Sequence, residues 1–148
     1  MKTSSKGIDF IKSFETLQTQ AYKPVPTERF YTIGYGHCGP DVEPGSSITE
    51  VEAERLLAED LADTERAVSN SIAGWDLKQC QFDALVSLAF NIGVSAFQHS
   101  TLLKLIKQRA DEMTIRNEFG KWVHSGGRVL KGLQRRRKAE ADMFFGKM

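Results

Sequence analysis

Residues 31–37 read Tyr31-Thr32-Ile33-Gly34-Tyr35-Gly36-His37, a run whose first half favours a β-strand and whose second half is broken by two glycines. The β-branched and aromatic side chains of Phe30-Tyr31-Thr32-Ile33 fit a pleated surface. Glycines inside such a run cost backbone entropy and mark a bend or the close approach of another molecule. A hairpin corner is the simpler reading of Gly34 and Gly36, and a surface on which a ligand lies against backbone is the sharper one.

Upstream of this run stand Glu15 and then Ala21-Tyr22. Ser4-Ser5 followed by Ile8, Ile11 and Phe14 predicts a short helix, with Glu15 in its last turn. The negative end of the helix dipole disfavours an anion there unless a cation compensates. Taken alone, Glu15 is more simply a solvated helix-end residue than a catalyst. Beside a Gly-punctuated strand rich in rings and hydroxyls it gains a second reading, the acid of a sugar-cleaving cleft. A general acid for a glycosidic oxygen needs a carboxyl held on rigid scaffold and partly dried, so that it keeps its proton near neutrality.

The chain has 148 residues, 41% hydrophobic and 26% charged, which fits one soluble globular domain with room for two lobes. No apolar run approaches about 18 residues and no basic segment leads into an apolar one, so neither a membrane span nor a secretion signal is expected. Cys38 and Cys80 are too few for a disulfide framework, and His37, His99 and His124 are scattered. Free thiols are expected, with no metal site and no cofactor. The net charge of +1 conceals an asymmetry, because residues 1–100 carry 8 Lys/Arg against 14 Asp/Glu and residues 101–148 carry 12 against 5. A basic C-terminal third suits an anionic polymer, and equally a solvated helical face. Nucleic acid is the weaker partner, since no zinc-finger, helix-turn-helix or aromatic RNA-binding signature accompanies the charge.

Farther along, Pro24 and Pro26 interrupt the segment before the strand, and a loop runs from Cys38-Gly39-Pro40 through Pro44-Gly45-Ser46. Thr49 with Glu52 forms a capping box for a long helix carrying Leu57, Leu61, Thr64, Val68 and Ile72, which Gly74 ends. Asp76 with Gln79 predicts the start of a buried helix that closes near Asn91-Ile92-Gly93. Ser100, Asp111 and Leu133 open further helices, so the C-terminal half reads as all helical. No internal repeat or linker is visible.

A sugar-cleaving site needs a second carboxylate, at roughly 6.5–9.5 Å from the acid for inversion or about 5–5.5 Å for retention. Glu28, in the turn before the strand, and Asp41, in the loop after it, are the candidates; either also reads as a surface turn residue. The Thr32 hydroxyl suits the orientation of an attacking water, although β-propensity alone explains a threonine there. His37 titrates near neutrality or is simply a hydrogen-bonded structural histidine. Phe119 and Trp122 read as core. Gly126-Gly127 reads as a helix stop that would also let a glycan pass close to backbone. Arg135-Arg136-Arg137 fans around a helix, so at least one of the three turns inward, where it could pair with Glu15; a solvated face is the default.

The helix-end Glu15, Ala21-Tyr22, Thr32 to His37, Gln81-Phe82-Asp83-Ala84-Leu85-Val86-Ser87, Phe90-Asn91-Ile92-Gly93, Ser100-Thr101-Leu102-Leu103, Trp122-Val123 with Gly126-Gly127, and Gly132-Leu133 with Arg135-Arg136-Arg137 follow one another in an order that resembles the phage-type lysozymes, the endolysins of glycoside hydrolase family 24. The resemblance runs essentially end to end. It implies one α+β, lysozyme-like catalytic domain over 1–148. That domain has a small β-containing lobe of about residues 14–60, a long connecting helix, and a helical lobe from about 61 to 148 that takes in the N-terminal helix, with a glycan cleft between.

The resemblance also implies hydrolysis of the β-1,4 bond between N-acetylmuramic acid and N-acetylglucosamine in bacterial peptidoglycan. Glu15 would be the general acid and Thr32 would help place water. Tyr22, Gly34, Tyr35, His37, Gly126 and Gly127 would border the glycan. One departure stands out. The family carries an Asp or Cys between the glutamate and the threonine, but nine residues on from Glu15 is Pro24 and six back from Thr32 is Pro26. Glu28 is the substitute on proximity, with Asp41 in reserve. A lone acid also suits a lytic transglycosylase, which leaves 1,6-anhydro ends, and a missing acid suits a non-catalytic wall-binding module. The remaining expectations are a monomer of phage or prophage origin, held in the host bacterial cytoplasm until a holin-type pore gives it access to the wall.

Overall fold

The computed structural model describes residues 1–147. Its elements run α1 (Ser5–Phe14), β1 (Gln18–Tyr22), β2 (Thr32–Gly34), β3 (His37–Cys38), α2 (Glu50–Ser71), α3 (Gln79–Ile92), α4 (Val94–Gln98), α5 (Thr101–Lys107), α6 (Glu112–Phe119), β4 (His124–Ser125), β5 (Arg128–Val129) and α7 (Lys131–Phe144). This is the α+β class that the sequence predicts. The chain divides into two compact units, residues 9–63 and residues 1–8 together with the chain from Thr64 on, and both divisions fall inside helices, α1 and α2.

In the unit of residues 9–63, the three strands form an antiparallel sheet in the order β1-β2-β3, with Tyr22 opposite Thr32 and Ile33 opposite His37. Gly34 and Gly36 have φ of 69° and 89°, the left-handed conformation that a three-residue turn requires and that glycine adopts without steric cost. The edge strand β1 is not left bare, because Ala21 N–H donates to Ser46 O and Ile48 N–H to Thr19 O, each at 2.9 Å. Phe30 and Tyr31, read as strand from propensity, lie outside β2 and instead carry cations over their rings, Arg29 on Phe30 and Lys23 on Tyr31. Pro24 and Pro26 cannot donate to a ladder, and the segment turns instead, with Glu28 N–H bonded to Val25 O. The capping box of α2 is formed as read: Thr49 Oγ1 accepts from Glu52 N–H and Glu52 Oε1 from Thr49 N–H.

In the other unit, α3 is buried continuously from Phe82 to Ala89 and packs most extensively on α7. A helix with no polar face needs partners all round, which explains why its one carboxylate, Asp83, is spoken for. Asp83 accepts from the Ser4 N–H at 3.0 Å and from the Ser4 hydroxyl, while Glu65 Oε2 accepts from Thr3 N–H at 2.6 Å. A Cβ on Gly7 would sit 2.6 Å from Asp83 Cγ, so only glycine admits this approach. Ser100 and Asp111 cap α5 and α6 through Leu103 N–H and Thr114 N–H as their residue types predict.

Three expectations need correction. The C-terminal half is not all helical. Gly126 and Gly127, with φ of 59° and 77°, form the two-residue turn between β4 and β5 rather than a helix stop, the pairing of two positive φ values that a type I′ hairpin demands. Asp76 does not start α3. Lys78 does, with its N–H satisfied by the Gln81 side chain at 2.8 Å.

Of the arginine run, Arg135 is exposed, while Arg136 and Arg137 turn inward as the helical fan implies and are 4% and 1% exposed. They close on Glu140, whose Oε2 accepts from Ser87 Oγ at 2.5 Å and Arg136 Nε at 3.2 Å. Arg137 donates from Nη2 to Asn91 Oδ1 at 2.7 Å. Its Nε approaches Glu140 Oε1 at 2.9 Å but at an angle that makes no hydrogen bond. Burial pushes Glu140 above the ordinary carboxylate range and Arg137 below the usual guanidinium range, each opposed by the other's charge.

Removing one partner of such a cluster leaves buried groups uncompensated. Glu140→Leu is therefore expected to lower the unfolding free energy by about 3–5 kcal/mol. Urea denaturation measures it, and a loss below about 1 kcal/mol, the size of one ordinary hydrogen bond, would mean that the cluster is not a structural keystone.

Candidate functional site

Glu15 lies one residue beyond α1, yet its N–H still donates to Ile11 O at 3.0 Å, so its backbone is held in the last helical turn. Its side chain is half-buried. The carboxylate lies against the turn between β2 and β3, where a Cβ on Gly36 would come within 3.3 Å of Glu15 Oε2. The acid and the glycine run, separated in sequence, are thus neighbours in space. Thr32, 7% exposed, starts the strand that leads into this turn and is paired on either side with Tyr22 and Cys38. Because alternate residues of a strand face opposite sides, Thr32 and Gly34 share one face and Ile33 takes the other, where it is buried.

The residue after Gly36 fixes the turn. His37 Nδ1 meets Asp60 Oδ2 at 2.9 Å and Nε2 meets Asp41 Oδ2 at 2.8 Å, which uses both ring nitrogens. Burial disfavours the charged ring, but its hydrogen bonds to the Asp41 and Asp60 carboxylates outweigh it and His37 is raised above the ordinary histidine value. The same bond to His37 holds the Asp41 carboxyl below its ordinary value. A second cation braces the strand from α1, where Lys12 bonds Glu54 at 2.7 Å and lies 5.3 Å above the centre of the Tyr35 ring.

The sequence candidates fall into three groups. Glu15, Thr32, Gly34 and His37 lie on or against the turn of β2 and β3, but Tyr35, 6% exposed beneath Lys12, turns its ring inward. Tyr22 is 38% exposed on β1, Glu28 is exposed in the proline-bounded turn, and Asp41 is exposed but committed to His37. Gly126 and Gly127 form the tip of an exposed hairpin in the other unit. Sequence reasoning missed Asp60. Its signal was available, since an acid inserted between Leu57 and Leu61 on the buried stripe of α2 requires a partner. Among the described residues no group of three or more His, Cys, Asp or Glu is arranged to hold a metal ion, and no helix is long and apolar enough to cross a membrane.

Residues 12–140 match the family model described as Phage lysozyme. The chain is 48% identical over 144 residues to an endolysin of Bacillus phage B103, an alignment that covers 97% of this chain and 54% of that one. Among solved structures, it is similar to the muramidase domain of SpmX from Asticaccaulis excentricus, with a TM-score of 0.86, 37% identity and 97% of both chains covered. It is also similar to an endolysin from Escherichia coli O157:H7 phage FAHEc1, with a TM-score of 0.88, 34% identity, and 100% of this chain and 96% of that one covered. The chain spans about half the length of the curated Bacillus phage relatives that it matches.

Two outcomes follow from the geometry. Gly36→Ala adds a Cβ beside Glu15 at a φ of 89°, and the strain alone should cost about 1–2 kcal/mol of stability, read by thermal melting. An alanine variant as stable as the parent would show that the turn is not constrained. For His37, a raised folded pKa means a contribution fully present below about pH 6.5, the unfolded value, and lost as pH rises through the folded value. Asp41, lowered, contributes above about pH 3.9 and loses its contribution as pH falls through its folded value. His37→Gln should therefore melt below the parent between these limits, with the gap closing at alkaline pH. A gap independent of pH would remove the ion pair from the explanation.

Proposed function

The chain belongs to the phage lysozyme family, and on that premise we propose that it is an endolysin-type muramidase, hydrolysing the β-1,4 bond between N-acetylmuramic acid and N-acetylglucosamine in bacterial peptidoglycan. The observation that carries the proposal is the carboxylate of Glu15 lodged against Gly36, in the turn that follows the strand of Thr32. A glycine surface beside an acid lets a sugar ring approach backbone closely while the acid reaches the bridging oxygen. In this reading Glu15 gives its proton to the departing glycosidic oxygen and the Thr32 hydroxyl orients the incoming water. Tyr22, exposed at the sheet edge, offers a ring for a sugar face.

The second carboxylate is Glu28 or Asp41. Asp41 is held as an anion by His37, which suits a charge that steadies a developing cation and does not suit a proton donor. Glu28 has the freedom of an exposed turn. One observation favours a second chemistry. The turn before the strand is built on Pro24 and Pro26, so this chain has no acid in the place where the family resemblance looks for one. With Glu15 as the only essential acid, the muramic 6-hydroxyl would attack in place of water. Release through a holin-type pore from the host cytoplasm, and action as a monomer on the solid wall, complete the proposal.

Mass spectrometry of digested peptidoglycan is expected to show reducing muramic ends; 1,6-anhydro ends would replace hydrolysis by transglycosylation. Glu15→Gln should reduce clearing of a wall suspension by about 100-fold or more. Equal clearing by variant and parent would remove Glu15 from the chemistry, and a parent that clears nothing would leave a wall-binding protein. Glu28→Gln and Asp41→Asn, assayed separately, identify the second acid by which of them falls comparably.

A further inference from the structure

The helical unit holds a pocket of about 450 Å³ that contains neither Glu15 nor Thr32. Its floor is apolar, formed by the buried Ile106, Ile115 and Phe144, and its rim carries Trp75, Gln81 and Arg109. Trp75 stands on the turn that ends α2, with its N–H bonded to Ile72 O, and leaves 37% of its surface to solvent. A ring of this size left over a third exposed beside an apolar floor offers a flat apolar face to a ligand.

Arg109 supplies a second, independent oddity. It occupies the position just past the C-terminal end of α5 with φ of 57°, its N–H bonded to Ile106 O and the N–H of Ala110 to Leu105 O. This is the Schellman pattern, and glycine is the residue that takes the position without strain. An arginine there is kept against the backbone's preference. Its guanidinium carbon lies 6.0 Å from the centre of the Trp75 ring, and no carboxylate pairs with it among the described residues. Its hydrogen-bond donors are therefore available at the pocket rim.

We propose that this pocket is a second glycan site, which takes one N-acetylated amino-sugar unit of a wall strand. The apolar face of a pyranose packs on an indole, an acetamido methyl fits a floor of Ile106, Ile115 and Phe144, and planar donors and amides such as Arg109 and Gln81 bond sugar oxygens. The volume suits one such unit. A second hold on an insoluble polymer keeps the enzyme at high effective concentration between cuts. The proposal rests on peptidoglycan as the substrate.

The test is a titration of tri-N-acetylchitotriose into the isotope-labelled full chain carrying Glu15→Gln, followed by NMR. Saturable shifts of the Trp75 indole N–H and of the Gln81 and Arg109 amides, with about tenfold weaker binding at those signals in Trp75→Ala and in Arg109→Gly, support the site. Arg109→Gly suits the backbone and so keeps the fold, which guards against loss by unfolding. Shifts at Thr32 and Gly36 without shifts in the pocket overturn the second site and leave the muramidase reading intact. Pocket shifts that neither variant weakens, or that cellotriose reproduces without an acetamido group, also overturn it. Pocket shifts without any at Thr32 and Gly36 sustain the site and count against the catalytic reading.

Discussion

The arrangement at residues 32–37 depends on a single steric permission, the absence of a side chain at Gly36. Glu15 approaches the turn so closely that a methyl group there would press on its carboxylate, and the backbone angle of the turn is itself one that other residues resist. Everything around that point is braced. Lys12 bridges from α1 to Glu54 and lies over Tyr35, and His37 is clasped between Asp41 and Asp60. The short strands that carry these residues have few ladder bonds of their own, so ion pairs from the helices supply the rigidity that a larger sheet would provide through its neighbours.

The helical unit solves a different problem. Its central helix is apolar over most of its surface, and the polar groups that do enter it are gathered into two places, Asp83 at one end and the cluster of Ser87, Asn91, Arg136, Arg137 and Glu140 toward the other. Such a cluster contributes less to stability than an apolar core of equal volume, because both signs of charge lose their water. What it confers is register, since α7 cannot rotate or slide along α3 without stranding charge.

Local signals were legible and paired ones were not. The capping box of Thr49 and Glu52, the caps at Ser100 and Asp111, and the break at Gly74 all lie within a few residues of their effect, so the sequence displays cause and consequence side by side. Gly126-Gly127 misled because glycine serves a helix end and a type I′ turn equally, and strands of two residues carry no readable period. That an arginine of this run turns inward was legible from its spacing on a helix, but its partners were not, because Ser87 and Asn91 sit on another helix far away in the chain. Glu15 was legible as a residue type in a motif, but that its carboxylate rests on Gly36 is a fact of tertiary packing.

Residues 3 and 4 illustrate how a short stretch outside any helix or strand acquires value. Thr3 and Ser4 lend their backbone amides to the carboxylates of Glu65 and Asp83, on two different helices. A cut of the chain after Ser4 would strip both acids of these donors at once, although no apolar core side chain would be lost. What this stretch tolerates is thus decided by its backbone, because a proline at position 3 or 4 would remove the donor outright whatever its side chain touched.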